Sequence, residues 1–256
     1  MLKHRVIPCL LLQNGALVKT KNFAKPIYIG DPINAIRIFN DKEVDELMVL
    51  DIDASKQNKA PNYTLIEQFA SECFMPLTYG GGISTMEQAK QLFNVGIEKI
   101  CIQSAAINNF TLIKQLADKW GSSSILVSID VKKNWLGKLK LYHAATGKLL
   151  DKPWQQQIQN AVQAGAGEIV LNDVDKDGTM QGMHTEVIQQ AAALTQVPLI
   201  AMGGVGSLAH IKAGVQAGAS AIAAGSFFVF NGPHKAVLIT YPPYNDLVQL
   251  LQNKNK

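Results

Sequence analysis

The stretch Met75-Pro-Leu-Thr-Tyr-Gly80-Gly-Gly-Ile83 decides the fold, because a short apolar run ends there in consecutive glycines. Such a run predicts a buried β-strand that stops at the glycines. The pattern returns 122 positions later, from Gly81 to Gly203, where Pro198–Met202 is followed by Gly203-Gly204-Val205. A strand that ends in glycine twice at a wide separation indicates an internal repeat.

Two further pairs of segments share this offset of 122 positions. Leu50-Asp51-Ile52-Asp53 matches Asn172-Asp173-Val174-Asp175, and Gln103-Ser104-Ala105 matches Gly225-Ser226-Phe227. Each segment closes or follows an apolar run, so equivalent strands end at equivalent places. We therefore expect a fold made of two similar halves.

Apolar runs and amphipathic stretches alternate along the chain and predict eight strand–helix units. The predicted strands are Arg5–Leu11, Glu46–Ile52, Met75–Tyr79, Lys99–Gln103, Ser124–Asp130, Glu168–Asn172, Pro198–Met202 and Ser220–Ala224. The predicted helices are Asp31–Lys42, Tyr63–Cys73, Thr85–Asn94, Thr111–Lys119, Pro153–Ala164, Thr185–Leu194, Leu208–Ala217 and Tyr244–Gln252. Asp31-Pro32 and Ser84 are of the residue types that begin helices.

Eight such units in 256 residues predict an α/β fold, a (β/α)8 TIM barrel with an internal half-barrel duplication. No linker interrupts the chain, so we expect one domain over residues 1–256. A doubly wound open sheet is the alternative. That fold normally has a glycine fingerprint after its first strand, and here Gly15 stands alone.

Composition excludes several classes of protein. The 24 Lys and Arg against 20 Asp and Glu give a formal net charge of +4, which suits an anionic small molecule but does not predict nucleic-acid binding. No apolar run approaches the roughly 18–20 residues of a membrane span. Cys9, Cys73 and Cys101 lie in or beside apolar segments, so we expect buried free thiols and a cytoplasmic location. No metal-ligand spacing is present in the sequence, and no metal or cofactor is expected.

The two glycine clusters predict two phosphate sites. Glycine lets the backbone approach an anion closely, and the loops after the seventh and eighth strands of such barrels commonly bind phosphate. By the repeat, the third and fourth strands provide a second site, so we expect a ligand with a phosphate at each end. The alternative is that the glycines only make tight turns. The candidate phosphate-binding residues are Gly81, Gly82, Gln103, Ser104, Gly203, Gly204, Gly225 and Ser226.

Asp130 is the first candidate for acid–base chemistry, because it ends the fifth strand and would point into the site. At the equivalent end of the first strand stands Leu11, so a pair of carboxylates across the mouth is incomplete. Asp51 and Asp177 are possible substitutes. Lys19 lies in the long segment Gln13–Gly30, which is predicted to be a loop, either a lid over the site or a solvated basic loop.

Charged residues also occur at the other end of the strands. Arg5, Glu46, Lys99 and Glu168 stand at or near the starts of the first, second, fourth and sixth strands. Their signs alternate, which predicts a ring of two salt bridges at the bottom of the barrel. From the residues alone, such a ring is a feature of stability.

These residues together resemble the cyclase subunit (HisF) of imidazole glycerol phosphate synthase. The related aminoaldose isomerase barrel shares the phosphate sites but fits less well. The resemblance covers nearly the whole chain and rests on Arg5-Val-Ile-Pro-Cys-Leu10, Val18-Lys19, Asn22-Phe23, Gly30-Asp31-Pro32, Leu50-Asp51-Ile52, Gly80-Gly81-Gly82-Ile83, Ile129-Asp130, Gly165-Ala-Gly-Glu168, Asp175-Lys-Asp177-Gly-Thr179 and Gly203-Gly204.

The resemblance implies a HisH-like glutaminase partner at the barrel bottom, with ammonia passing through a gate to the top. There it would attack a bis-phosphorylated sugar-type intermediate. The gate residues match in full: Arg5, Glu46, Lys99 and Glu168. Of the family's two catalytic aspartates, the second matches Asp130 and the first falls on Leu11. Gln103-Ser104 stands where a phosphate site of the family usually has Asn-Thr. Lys19 and Asp177 complete the candidate catalytic residues.

Three functions follow as alternatives. The segment Gly232–Pro242 resembles divergent HisF-type barrels linked to amidation of surface-polysaccharide (lipopolysaccharide) sugars, which implies an ammonia conduit that serves a separate amidotransferase. The second alternative is a working cyclase of histidine biosynthesis, a lyase that makes imidazole glycerol phosphate and aminoimidazole carboxamide ribotide. The third is a non-catalytic activator of the glutaminase.

Overall fold

The computed structural model describes residues 4–252. Within them the strands are β1 (Arg5–Gln13), β2 (Ala16–Lys21), β3 (Ala24–Gly30), β4 (Leu47–Asp51), β5 (Leu77–Gly80), β6 (Lys99–Ile102), β7 (Ile125–Lys133), β8 (Leu139–His143), β9 (Lys148–Leu150), β10 (Glu168–Asp173), β11 (Leu199–Met202), β12 (Ala221–Ala224), β13 (Phe230–Asn231) and β14 (Ala236–Val237). The helices are α1 (Pro32–Asp41), α2 (Tyr63–Glu72), α3 (Met86–Asn94), α4 (Phe110–Trp120), α5 (Trp154–Gln163), α6 (Thr185–Ala192), α7 (Leu208–Gln216), α8 (Ser226–Val229) and α9 (Tyr244–Gln252), and Ser122–Ser124 form a 3₁₀ turn.

Eight parallel strands close into a barrel in the order β10-β11-β12-β1-β4-β5-β6-β7, and pairing of β7 with β10 completes the circle. Helices follow the strands and pack outside them, so the predicted (β/α)8 barrel is confirmed. All predicted strands and helices are present, with ends that differ by no more than three residues.

Local structure differs from the sequence prediction in two places. The segment Gln13–Gly30 is an antiparallel hairpin, β2–β3, rather than a loop, because β2 turns back to pair with the end of β1 and β3 pairs with β2. Asp31 caps α1 as predicted and accepts from the Asn34 N–H. Thr85 rather than Ser84 caps α3, because its extended backbone lets its hydroxyl accept from the Gln88 N–H in a capping box.

The half-barrel repeat is visible in backbone contacts. A Cβ on Gly81 would lie 2.4 Å from the carbonyl oxygen of Asp51, and a Cβ on Gly203 would lie 2.7 Å from that of Asp173. Both glycines also have positive φ angles, of 122° and 105°. The two halves therefore need glycine for the same reason: the loop backbone crosses directly against the neighbouring strand end.

Two apolar clusters hold the barrel together. The larger lies between the strands and the surrounding helices. The smaller draws only on barrel strands and fills the interior, with Leu11 and Leu50 at its edge; its buried members are Ile7, Cys9, Met48, Cys101, Leu126, Val170, Ile200, Met202, Ala221 and Ala223. No helix among residues 4–252 is long and apolar enough to cross a membrane.

Candidate active site and ion-pair ring

A cavity of about 420 Å³ opens at the carboxyl-terminal mouth of the barrel. It brings together residues that lie far apart in sequence, because parallel strands all end at the same rim. Gly82 is not among its lining residues. Its walls include the predicted site residues Leu11, Lys19, Gly81, Gln103, Ser104, Asp130, Asp177, Gly203, Gly204, Gly225 and Ser226.

Asp130 stands in the cavity wall and is only 4% exposed. Its Oδ1 accepts a hydrogen bond of 2.9 Å from the Ser128 hydroxyl. Burial raises the pKa of Asp130 to about 7; the Ser128 hydrogen bond opposes this shift and the nearby Asp177 adds to it. A carboxyl group with a pKa near neutrality can both accept and donate a proton in this site.

Lys19 reaches into the cavity from β2 and is buried. Its Nζ donates a hydrogen bond of 2.5 Å to the Cys9 carbonyl oxygen. Burial lowers the pKa of Lys19. A Cβ on Gly225 would lie 2.4 Å from this Nζ, so the ammonium group adjoins the Gly225 backbone. This position suits a phosphate that meets both the Gly225–Ser226 backbone and a cation.

Asp177 connects the β2–β3 hairpin to the loop after β10. It accepts hydrogen bonds from the Thr20 hydroxyl at 2.9 Å and from the Phe23 N–H at 3.4 Å. The Asn22 N–H donates to its backbone carbonyl oxygen at 2.9 Å, and the Asn22 side chain donates to the Asp175 carbonyl at 2.7 Å. Burial raises the pKa of Asp177, and the Thr20 hydrogen bond opposes this. The hairpin is therefore tied down over one side of the cavity.

The two sides of the mouth differ in polarity. Leu11 is in register with Leu50, whereas Asp130 is in register with Asn172 on the other side. Asn172 is 3% exposed and lines the cavity, and its Oδ1 has no hydrogen-bond partner. The sequence analysis did not single out Asn172 as a site residue. A signal was available, because the repeat offset of 122 positions makes Asn172 equivalent to Leu50, so a polar residue stands where the other half has an apolar one.

Besides Asp177, the sequence offers Asp51 as a substitute for the aspartate that the family resemblance implies at the position of Leu11. Its Oδ1 accepts from the N–H groups of Asp53 and Ala54, both at 3.0 Å. The side chain therefore holds the turn after β4, although it also borders the cavity. Asp177 also borders the cavity, and its charge contributes to the raised pKa of Asp130.

The predicted phosphate loops are tightly built. The Gly82 N–H donates to the Ser55 hydroxyl at 3.1 Å, and the Gly204 carbonyl accepts from the Gly182 N–H at 2.8 Å. Gln103 donates to the Tyr142 carbonyl at 2.8 Å and accepts from the Ser104 hydroxyl at 3.0 Å. Both glycine interpretations fit this geometry, because a tight turn can also present N–H groups to an anion.

Four charged side chains form a ring at the opposite end of the barrel. Arg5 contacts both Glu46 and Glu168 at 2.5 Å, and Lys99 contacts them at 3.0 and 2.7 Å. The ring thus has four ion pairs, rather than the two predicted, because each cation lies between two carboxylates. Thr78 also donates to Glu46 at 2.9 Å.

Burial sets the character of this ring. The side chains of Glu46 and Glu168 are 2% and 8% exposed, so their contacts with Arg5 and Lys99 offset the cost of burying them. Burial by itself would lower the pKa of Arg5. The hydrogen bond to Glu168 and the charges of both glutamates together outweigh burial, so the pKa of Arg5 lies above its usual value. The ring closes the bottom of the apolar interior.

The three cysteines are free, and Cys9 and Cys101 are buried in the barrel as predicted, whereas Cys73 is only half-buried. Within the part of the chain that the structure describes, no group of three or more His, Cys, Asp and Glu side chains could hold a metal ion.

The fold and site define a (β/α)8-barrel protein with a ligand cavity at one end and an ion-pair ring at the other. The model of the family described as "Histidine biosynthesis protein" matches residues 5–234. The chain belongs to this family and is a divergent member of its HisF group.

Three relatives show where the chain lies in that group. It is 50% identical over 251 residues to a Pseudomonas aeruginosa protein provisionally named imidazole glycerol phosphate synthase subunit hisF2, covering 96% of this chain and 99% of the relative. A Leptospira borgpetersenii protein with the provisional name of subunit HisF is 49% identical, over 96% and 98% of the two chains. The imidazole glycerol phosphate synthase subunit HisF of Streptococcus mutans is 37% identical, over 82% and 84%.

Proposed function

We propose that this chain is an ammonia-conducting barrel subunit. It takes ammonia from a HisH-like glutaminase at the face that carries the ring and releases it at the mouth, for amidation of a surface-polysaccharide sugar by a separate amidotransferase. The observation that carries the proposal is an intact ring, Arg5, Glu46, Lys99 and Glu168, below a mouth in which Leu11 replaces a carboxylate.

The interior between ring and mouth supports this route. Its side chains are apolar or small, including Ile7, Met48, Val170 and Ala221. An apolar lining disfavours ammonium and other ions far more than neutral ammonia, because a charge loses its hydration there. The lining therefore favours transfer of ammonia in its nucleophilic form.

The sugar-amidation part of the proposal rests on the segment Gly232–Pro242 and its resemblance to divergent HisF-type barrels. Tyr241 in this segment donates a hydrogen bond of 2.9 Å to the Val6 carbonyl oxygen, and its ring packs 5.3 Å from that of Phe228. The segment is thus attached to the first barrel strand. Free thiols and the family membership support a cytoplasmic location.

A working cyclase of histidine biosynthesis is the second candidate. Asp130 with a pKa of about 7, the buried Lys19 and a cavity between two glycine loops favour it. Loss of one member of an acid–base pair typically costs about 10²–10⁴-fold in rate, so Asp177 would have to replace the missing group. A barrel that only activates the glutaminase would leave the mouth cavity without a ligand.

The deciding experiment is a cyclase assay of the full chain with the bis-phosphorylated ribulosyl intermediate and excess ammonium chloride. We expect no turnover from the wild type and measurable turnover from Leu11→Asp, since this variant restores a carboxylate opposite Asp130. Wild-type turnover would identify a histidine-pathway cyclase instead. Leu50→Asp, on the neighbouring strand, is the matched control and should stay inactive.

A further inference from the structure

The positive charge of this protein is concentrated around the barrel mouth. Two hairpin segments lie there: residues 13–30 follow β1, and residues 132–150 begin at the end of β7. We call these two segments together the mouth rim. The mouth rim contains eight lysines and no Asp or Glu, whereas the rest of the chain has sixteen Lys and Arg against twenty Asp and Glu. The net charge of +4 therefore combines a strongly basic rim with an acidic remainder.

The mouth rim also exposes large apolar side chains. Among the described residues, five of the nine exposed large apolar side chains lie on it: Ile27, Tyr28, Trp135, Leu136 and Leu149. Trp135 is 90% exposed. Trp135 and Leu136 are adjacent and both exposed, and tryptophan is enriched among the residues that anchor protein–protein contacts.

The two segments contact each other beside the cavity. The rings of Phe23 and Tyr142 meet edge to face with their centroids 6.0 Å apart. Lys132 lies 5.1 Å from the centre of the Tyr142 ring. Both segments also line the cavity, through Lys19, Thr20 and Phe23 on one side and Tyr142 and 144–147 on the other. A partner seated on the rim would cover the cavity opening.

The turn that carries Trp135 is held in place before any partner binds. The Asn134 Oδ1 accepts from the N–H groups of Leu136 and Lys138 at 3.0 and 2.9 Å, and the Asn134 N–H donates to the Lys138 carbonyl at 2.9 Å. A fixed turn lowers the entropy lost on association. Lys140 pairs with Asp151, but Lys133, Lys138 and Lys148 are exposed and have no ion pair within 4.0 Å in the described structure.

We propose that the mouth rim docks an acidic protein that receives ammonia directly from the barrel mouth. The inference rests on the proposed ammonia conduit and adds where its acceptor protein sits. A small phosphorylated ligand would explain Lys19, which is buried in the cavity, but it would not reach Trp135 at the exposed tip of the turn. An apolar anchor among lysines instead fits a protein surface with an apolar pocket and a rim of carboxylates.

The test begins with photo-crosslinking in the cell that produces the protein, with benzoylphenylalanine in place of Trp135 in the full chain. The crosslinked protein is identified by mass, purified, and titrated against the wild type. We expect an acidic protein whose Kd rises with ionic strength. Trp135→Ala and Lys133→Glu/Lys138→Glu should each weaken binding by roughly tenfold or more.

Matched controls separate this proposal from the conduit itself. Lys90→Glu/Lys114→Glu reverses two exposed lysines on α3 and α4 and should leave the Kd unchanged. Stimulation of the glutaminase should survive every rim variant; its absence in the wild type would contradict the conduit and not the rim. The proposal would be overturned by the absence of any crosslink, or by crosslinks only to a second copy of the chain, to lipid or to nucleic acid. Equal Kd values for the two charge-reversal variants would also overturn it. So would rim variants that weaken binding of inorganic phosphate alone.

Discussion

At the scale of single residues, the mouth shows what burial does to a carboxyl group. Asp130 is surrounded by protein and receives one hydrogen bond, from Ser128, so its charged form is poorly solvated. Leu11, at the equivalent end of β1, carries no such cost. The chain thus keeps a destabilising group on one side of the mouth, which is typical of functional sites.

This difference predicts how stability depends on pH. Because burial raises the folded-state pKa of Asp130 from 3.8 to about 7, the native protein holds a proton that the unfolded chain releases above about pH 4. Its contribution to stability therefore falls as the pH rises through this window. Asp130→Asn should be more stable than the wild type at pH 8, by up to about 4 kcal/mol, and nearly equal at pH 4.

Urea unfolding at the two pH values measures this difference. Asp118→Asn, at an exposed position on α4, is the control for the removal of a carboxyl group outside the cavity. An unchanged difference between wild type and Asp130→Asn across pH 4–8 would contradict the raised pKa.

At the scale of elements, repeated strand–turn–helix units position the site. Gly96 and Gly218, 122 positions apart, follow α3 and α7 with φ angles of 100° and 104°. Thr85 and Ser207 cap those helices in the same way. Equivalent turns thus return the chain from equivalent helices to the starts of β6 and β12. The added β2–β3 hairpin distinguishes one side of the mouth by bringing Lys19 to Gly225.

The glycines of these loops should differ in what their replacement does. In Gly225→Ala the new Cβ would lie 2.4 Å from the Lys19 Nζ and 3.1 Å from the Cys9 carbonyl oxygen, at a negative φ of −108°. The end of the Lys19 side chain must therefore shift, and we expect a smaller loss of stability than in Gly204→Ala and roughly tenfold weaker binding of glycerol phosphate, equivalent to about 1.4 kcal/mol. In Gly204→Ala the Cβ would lie 2.1 Å from the Gly182 carbonyl oxygen at a φ of +94°, which should cost about 1–3 kcal/mol of stability.

Calorimetric titration with glycerol phosphate and thermal unfolding of both variants separate the two effects. Equal affinity of Gly225→Ala and the wild type would mean that Lys19 and the Gly225 backbone do not bind phosphate. A stable Gly204→Ala protein would show that the Gly182 contact is easily relieved.

At the scale of the whole molecule, the barrel separates two polar ends by an apolar interior. The ring and the cavity share no residue, and interior side chains such as Met48 and Val170 lie between them. Changes at one end should therefore leave binding at the other end intact, since distant sites are usually additive.

Lys99→Ala tests this separation in the complex with the glutaminase. Removing Lys99 leaves Glu46 and Glu168 with Arg5 alone, so the bottom opening should lose its shape and less glutamine-derived nitrogen should reach the acceptor. Glycerol phosphate binding should change by less than about 0.5 kcal/mol. The assay compares ammonia delivered with ammonia lost to solvent.

Lys90→Ala is the control, because this exposed lysine makes only a long contact of 3.9 Å to Glu87. Equal loss of transfer and of glycerol phosphate binding in Lys99→Ala would assign the ring a purely structural role. Unchanged transfer would remove the ring from the ammonia path.

The sequence by itself determined the barrel, its eight strand–helix units and its repeat, because apolar periodicity and glycine positions are local signals. It also placed Asp130 and the four ring residues at the ends of predicted strands, and Lys19 in the segment that follows the first strand. Family resemblance extended this to the proposed roles of these residues.

Only the tertiary structure decided which of these groups meet. Three findings depend on contacts between segments that are distant in sequence. Asp177 accepts a hydrogen bond from Thr20, Asn172 has an unpaired oxygen beside Asp130, and each ring cation has two partners. The raised pKa of Asp130 has the same origin, because desolvation is set by everything packed around a group and not by its neighbours in sequence.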